Sequence, residues 1–285
     1  FGLSTGNSSS PSFVDIDADG DVDAFGNHSV FYHNMGASSI PAYSYSNNFG
    51  LSGMELNGHT YVTTVDIDSD GDFDVFVGAF DGSILFLQNT GTANSPAFAA
   101  AIANPFGLSN VANNHFVAYP GFYPTFADID SDDDLDFFIT NDGGLTYFFQ
   151  NTGTANNPAF AAATTNPFGL ANLNSLLDLD GDGDLDALGG STGFLRNVGA
   201  ATTPTFAAES LPSSFGLNDL SANAHTTFID IEGDGDLDVF VSNHAGNPIF
   251  FRNTGTFNSP VFVRNYLAAN SYFATATFVD IDGDG

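Results

Sequence analysis

Cysteine, lysine and tryptophan are all missing from this chain, and its only cationic side chains besides histidine are Arg196, Arg252 and Arg264. Without cysteine no disulfide can staple the fold. Without a basic patch there is nothing to neutralise phosphate, which excludes nucleic acid as a partner. No amphipathic segment carries a basic face, and no run of about 18 apolar residues exists, which argues against membrane insertion. No H-E-x-x-H, serine-nucleophile elbow or other catalytic constellation appears, and the six histidines are scattered singly. The sequence therefore reads as non-enzymatic. It begins at Phe1 without a methionine or a charged leader region and stops at Gly285, and it reads as a segment of a longer chain.

What the chain does contain is acid, and the acid is confined. The formal net charge is −31, with 34 acidic residues. A ladder of the form D-x-D-x-D-G-D-x-D recurs at intervals of 50 to 62 residues. The first copy is Asp15, Asp17, Asp19, Asp21 and Asp23, and the second Asp66, Asp68, Asp70, Asp72 and Asp74. The third is Asp128, Asp130, Asp132, Asp134 and Asp136, and the fourth Asp178, Asp180, Asp182, Asp184 and Asp186. The fifth is Asp230, Glu232, Asp234, Asp236 and Asp238, and a partial sixth holds Asp280, Asp282 and Asp284. With Asp133 these make 29 of the 34 acids, so the rest of the chain is close to neutral. Unneutralised, such clusters repel one another and destabilise a compact state.

Alternating carboxylates closed by a glycine bend wrap a hard cation in oxygen ligands. Carboxylates at positions 1, 3, 5 and 9 can converge, position 7 offers its backbone carbonyl, and the glycine at position 6 permits the sharp turn. An all-oxygen set with several carboxylates suits Ca²⁺, with about one ion per complete loop, whereas Mg²⁺ prefers fewer protein ligands and keeps its waters. Positions 2 and 8 are apolar and are expected to anchor each loop. An EF-hand is excluded, because its bidentate glutamate at position 12 is replaced here by Gly26, Val77, Ile139, Gly189 or Val241. Two loops depart from the pattern: Asp133 stands where the third needs glycine, and Glu232 occupies position 3 of the fifth. Both are expected to bind less tightly.

Each ladder lies between short runs rich in β-branched and aromatic residues, such as Thr64-Val65 before and Val75-Phe76-Val77 after. A turn and a third run follow, for example Ile84-Leu85-Phe86-Leu87. Then comes Asn-x-Gly, at Asn34, Asn89, Asn151, Asn197 and Asn253, read as a hairpin turn that tolerates positive φ. A proline and an aromatic open a fourth run, placed at a sheet edge because proline cannot donate to a ladder. No long stretch has the helical period. Four short strands per unit, repeated, predict an all-β chain: a β-propeller of four-stranded antiparallel blades, five complete and the start of a sixth. The units fall at about 1–48, 49–105, 106–167, 168–214, 215–267 and 268–285. Phe-Gly-Leu at Phe49, Phe106, Phe168 and Phe215 marks the links and reads as a buried aromatic plug beside a close backbone approach.

The ladder after an apolar strand, the Asn-Thr-Gly-Thr turns and the unit length resemble FG-GAP/VCBS repeats, the calcium-bearing blades of integrin-α-like propellers. The resemblance covers nearly the whole chain. It implies export or display at the cell surface and a total of six or seven blades. The expected function is an extracellular calcium-stabilised module for adhesion, matrix, surface-layer or filament assembly, acting on other extracellular proteins, on copies of itself or on glycans. The alternative is a calcium-dependent propeller that binds or degrades polysaccharide. Two features bear on partners: the long aromatic linker 109–124, and a final strand near Tyr272 to Ile281 that either closes the ring or adds to a neighbouring copy, building a homopolymer.

Overall fold

The structure is a computed structural model that describes residues 12–20, 23–25, 31–35, 43–45, 51, 61–79, 81–112, 121–189, 193–210, 225–229, 236–242, 249–256 and 260–265. These form five antiparallel four-stranded meanders and no α-helix. Blade 1 holds β1 (Ser12–Val14), β2 (Asp23–Phe25), β3 (Phe31–Asn34) and β4 (Tyr43–Tyr45). Blade 2 holds β5 (Tyr61–Val65), β6 (Asp74–Gly78), β7 (Ile84–Leu87) and β8 (Ile102–Ala103). Blade 3 holds β9 (Phe122–Ala127), β10 (Asp136–Asn141), β11 (Thr146–Phe149) and β12 (Thr164–Thr165). Blade 4 holds β13 (Leu173–Leu177), β14 (Asp186–Gly189), β15 (Gly193–Asn197) and β16 (Phe206–Ser210). Blade 5 holds β17 (His225–Ile229), β18 (Asp238–Ser242), β19 (Ile249–Asn253) and β20 (Phe262–Asn265). The sixth unit, with its expected final strand, lies outside the described residues.

The fold is the propeller that the repeat predicts. First strands of successive blades pack on one another, β1 on β5, β5 on β9, β9 on β13 and β13 on β17. Fourth strands take the opposite edge of each sheet. Period-2 alternation then buries both faces between neighbours. In β10, Phe137 and Ile139 join a cluster with Phe76, Ile84 and Phe86 of blade 2. Phe138, between them, joins Leu170, Leu173 and Ala187 on the blade 4 side. In β6 the same alternation sends Phe76 toward blade 3 and Val75 and Val77 toward Phe25 and Phe31 of blade 1. Phenylalanine dominates these seams because one ring spans the gap between two sheets and meets another ring across it: Phe126 lies 4.8 Å from Phe76, centroid to centroid.

Two sequence expectations need correction here. In blades 2 and 3 the fourth strand does not run on from the aromatic after proline. Phe98 and Phe160 pair as single bridges with Asn89 and Asn151, and the ladder resumes only at β8 and β12. The gaps are the alanine runs Ala99–Ala101 and Ala161–Ala163, poor strand formers at an edge with one neighbour. Nor is Phe168 a buried aromatic plug, while Phe106 is half-buried against the core and Phe49 and Phe215 lie outside the described residues. Leu51, Leu108 and Leu170 are the buried residues, while Phe168 is 39 % exposed. Phe106 and Phe168 take φ of 56° and 53°, and their rings lie against Phe86 and Phe148 respectively. The close approach is real at Gly107, where a Cβ would come within 2.7 Å of the Phe160 carbonyl oxygen.

Candidate metal centres

The aspartate loops join the first and second strands of each blade. Loops 2, 3 and 4 are described throughout, and loop 1 except for Asp21 and Val22. Position 1 folds back on its own loop: Asp66 accepts the amide of Asp70 on Oδ1 at 3.1 Å and that of Gly71 on Oδ2 at 3.0 Å. Asp15, Asp128 and Asp178 make the same pair of bonds. This curl requires the left-handed region twice. Position 6 takes it at Gly20, Gly71, Gly183 and also at Asp133, whose φ is 68°. Position 4 takes it as well, at Ala18, Ser69, Ser131 and Gly181, a demand hidden in the sequence by the variety of residues there. The third loop therefore closes like the others despite lacking glycine.

The result is that positions 1, 3 and 5 converge. One ligand oxygen from each lies within 4.8 Å of the others in Asp15/Asp17/Asp19, Asp66/Asp68/Asp70, Asp128/Asp130/Asp132 and Asp178/Asp180/Asp182. Position 2 anchors the loop as expected, with Ile16, Ile67, Ile129 and Leu179 all buried. Position 8 does so only in part, since Phe73 is 41 % exposed while Leu135 and Leu185 are half-buried against the core.

Positions 7 and 9 complete each loop. Asp72 and Asp134 at position 7, and Asp74 and Asp136 at position 9, are buried. In loop 2, Asp68 Oδ1, Asp72 Oδ1 and Asp74 Oδ2 are buried oxygens that no protein donor reaches, and loop 3 repeats this with Asp130 Oδ1, Asp134 Oδ1 and Asp136 Oδ2. Loop 4 does so with Asp180 Oδ1 and Asp184 Oδ1, and loop 1 with Asp17 Oδ1. A buried carboxylate oxygen without a partner is costly, and several within one loop are compensated by a cation. The set is all oxygen and multiply charged, which fits Ca²⁺. Position 7 thus brings a side-chain oxygen besides the carbonyl expected of it. Without a cation, burial pushes Asp23, Asp74, Asp136 and Asp186 up to about 7. Burial and then the neighbouring carboxylates raise Asp72 and Asp134 to about 6.

The third strand of each blade orients these ligands, which sequence reading missed. Oδ1 of position 9 accepts the backbone N–H of the strand-end asparagine, with Asp74 to Asn89 at 2.7 Å and Asp136 to Asn151 at 2.6 Å. Asp23, Asp186 and Asp238 do the same with Asn34, Asn197 and Asn253. That asparagine is buried, not a positive-φ turn residue. Its Oδ1 brackets the hairpin, accepting Gly91 and Ala97 in blade 2 and Gly153 and Ala159 in blade 3. The glycine is needed for space: a Cβ at Gly153 would lie 2.3 Å from the Asn157 carbonyl oxygen. The residue just before the asparagine reaches Oδ2 of position 3. Gln88 donates to Asp68 at 3.1 Å, Gln150 donates to Asp130 at 2.9 Å, Arg196 pairs with Asp180, and His33 Nε2 lies 3.2 Å from Asp17.

Hairpins also touch the loop of the preceding blade. Asn94 of blade 2 donates to the Ala18 carbonyl at 3.2 Å, and Asn156 of blade 3 donates to that of Asp68 at 3.2 Å. Ser69 returns a bond to Ala155 at 3.5 Å. Loops 1 and 2 are therefore part of the seams between blades.

Asp21, Asp230, Glu232, Asp234, Asp280, Asp282 and Asp284 lie outside the described residues, as do residues 113–120 of the aromatic linker. At the end of that linker the Tyr123 hydroxyl donates to Asp142 at 2.9 Å and lies 3.1 Å from that of Tyr61, tying blades 2 and 3 together. Among the described residues no helix is long and apolar enough to cross a membrane.

Fold and loops define an all-β, five-bladed propeller with an acidic loop after each innermost strand. Residues 230–285 match the FG-GAP-like repeat, and match and blades together fit an FG-GAP repeat propeller. Among solved structures, an Agrocybe aegerita lectin described for specific recognition of non-reducing terminal N-acetylglucosamine is 18 % identical at a TM-score of 0.49, over 91 % of this chain and 66 % of that one. The Photorhabdus luminescens Tc holotoxin pore is 15 % identical at a TM-score of 0.49, over 93 % of this chain and 12 % of that one. This chain thus spans less than two thirds of either. No curated protein matches it.

Proposed function

We propose that this chain is a calcium-stabilised, non-catalytic repeat module that works outside the cell in adhesion, matrix, surface-layer or filament assembly. The observation that carries the reading is the set of buried, unpartnered carboxylate oxygens at positions 3, 7 and 9 of loops 2 and 3. A loop that leaves three oxygens uncompensated at once is built around a cation, and folding and binding then share one free energy. Extracellular action is supported by the abundant calcium that loops of this kind need. A non-catalytic role follows from the commitment of 29 of 34 acids to the loops, which leaves few ionisable groups for chemistry. The partners of such a module are other extracellular proteins, further copies of this chain, or glycans.

Thermal unfolding and limited proteolysis, each with calcium and with a chelator, test the reading. Calcium is expected to raise the melting temperature and slow cleavage in the loops. Indifference of both to the chelator would sink it.

A further inference from the structure

The four described loops are nearly alike within but differ in what holds them from outside. His33, Gln88, Gln150 and Arg196 occupy one register, immediately before the bracketing asparagine, and each faces Oδ2 of the position-3 aspartate. Loops 2 and 4 form a natural pair. Both are described throughout, both carry aspartate at all five ladder positions, and both have glycine at position 6. Position 1 makes the same two bonds in each, to Asp70 and Gly71 and to Asp182 and Gly183. In both, the position-3 aspartate keeps a buried Oδ1 that no protein donor reaches. The outer contact separates them. Gln88 offers Asp68 a neutral amide, whereas Arg196 brings a full positive charge to Asp180.

We propose that Arg196 is a built-in counter-ion that makes the fourth loop a weaker calcium site than the second, and the fourth blade less dependent on calcium for its fold. The inference rests on the calcium reading above. A guanidinium is charged at any working pH and pairs with a carboxylate through a fixed fork. It lowers the loop's local charge from five negative to four and repels an arriving divalent ion, while it offsets repulsion between carboxylates when no ion is bound. Gln88 does neither. It fixes the rotamer of Asp68 and leaves the whole negative charge for the ion, as outer-shell partners of metal ligands do. One residue on the third strand thus sets a rank order among loops whose own ladders match. The chain is expected to release calcium in stages as its concentration falls, with blade 4 staying folded longer than blade 2.

Reciprocal exchange in the full chain tests this, with calorimetric calcium titration of chelator-stripped protein and melting without calcium as readouts. Arg196→Gln is expected to tighten one ion equivalent by about tenfold, the effect of removing one unit charge near a divalent ion in a largely solvated setting. It is also expected to lower the calcium-free melting temperature. Arg196→Lys keeps the charge and is expected to keep the weak site. Gln88→Arg is expected to weaken one equivalent by a similar factor and to raise the calcium-free melting temperature. Because it adds a counter-ion, Gln88→Arg is expected to be at least as folded without calcium as the native chain, and it carries the test if Arg196→Gln does not fold. Affinities unchanged in both exchanges, or a weaker site in Arg196→Gln, overturn the proposal and leave the calcium reading intact. A native chain that binds no calcium overturns both.

Discussion

Asp136 and Asn151 stand 15 positions apart and meet at 2.6 Å, the backbone N–H of Asn151 donating to Oδ1 of Asp136. That bond joins an aspartate loop to the hairpin between the third and fourth strands of the same sheet. The other Asp136 oxygen is buried without a protein partner. One residue therefore serves the fold through one oxygen and, on our reading, the cation through the other.

Asp136→Asn separates the two roles. The amide keeps an oxygen for Asn151 but removes the charge and one cation ligand. The variant is expected to melt higher than the native chain without calcium and lower with it. Asp136→Ala removes the acceptor as well and leaves a buried N–H unpaired, which costs about 1–3 kcal/mol in either condition. Denaturant unfolding with and without calcium compares all three, and identical behaviour of the two variants would refute the division of labour.

The raised carboxyls give the calcium-free chain an unusual pH dependence. Burial pushes Asp23, Asp74, Asp136 and Asp186 up to about 7 in the folded chain, against an ordinary carboxyl value of 3.8. Between these limits the folded state binds more protons than the unfolded state, so stability falls as pH rises, and it levels off above about 7. Protons and calcium compete for the same oxygens, so the stabilisation gained from calcium grows over the same window. Melting curves from mild acid to neutral pH, with and without calcium, should diverge as pH rises. Parallel curves would contradict the assignment.

Left-handed backbone at position 6 bears on the third loop. Asp133 takes φ of 68° where the other described loops have glycine. Asp133→Gly relieves a strain of about 1 kcal/mol and is expected to stabilise the chain and tighten loop 3. A calcium titration in which Asp133→Gly loses affinity would remove Asp133 as the reason to expect a weaker third site.

The seam between blades 2 and 3 rests in part on Asn156, which donates to the Asp68 carbonyl. Asn156→Ala is expected to cost about 1 kcal/mol. It is also expected to speed amide hydrogen exchange in loop 2, in the preceding blade. Faster exchange confined to the 153–159 hairpin would show that the contact does not couple the blades.

Much of this was legible in the chain because the relevant signals are local. Alternating apolar residues, Asn-x-Gly turns and a ladder every 50 to 62 residues are contained within single units, so blade number and loop position follow from spacing alone. Convergence of positions 1, 3 and 5 follows in the same way, being a property of nine consecutive residues. What was misjudged depends on a neighbour. Phe168 reads as a plug but lies on the surface beside Phe148, because Leu170 fills the space within. Asn151 reads as a turn former but is a buried bracket, because Asp136 on the adjacent strand accepts its backbone N–H.

Sequence by itself determined the repeat, the all-β class, the confinement of acid to the loops and the oxygen-rich chemistry, since each is written in short stretches of chain. Tertiary structure alone decided which carboxylate oxygens are used up and which are left buried without a partner. It also decided that Gln88 and Arg196 face the position-3 aspartates of their loops, and that Asn94 and Asn156 reach loops some 80 residues before them. The physical reason is that a buried polar atom's cost depends on what surrounds it in space. Here that surrounding comes from a third strand and a neighbouring blade, which no spacing of residues along the chain encodes.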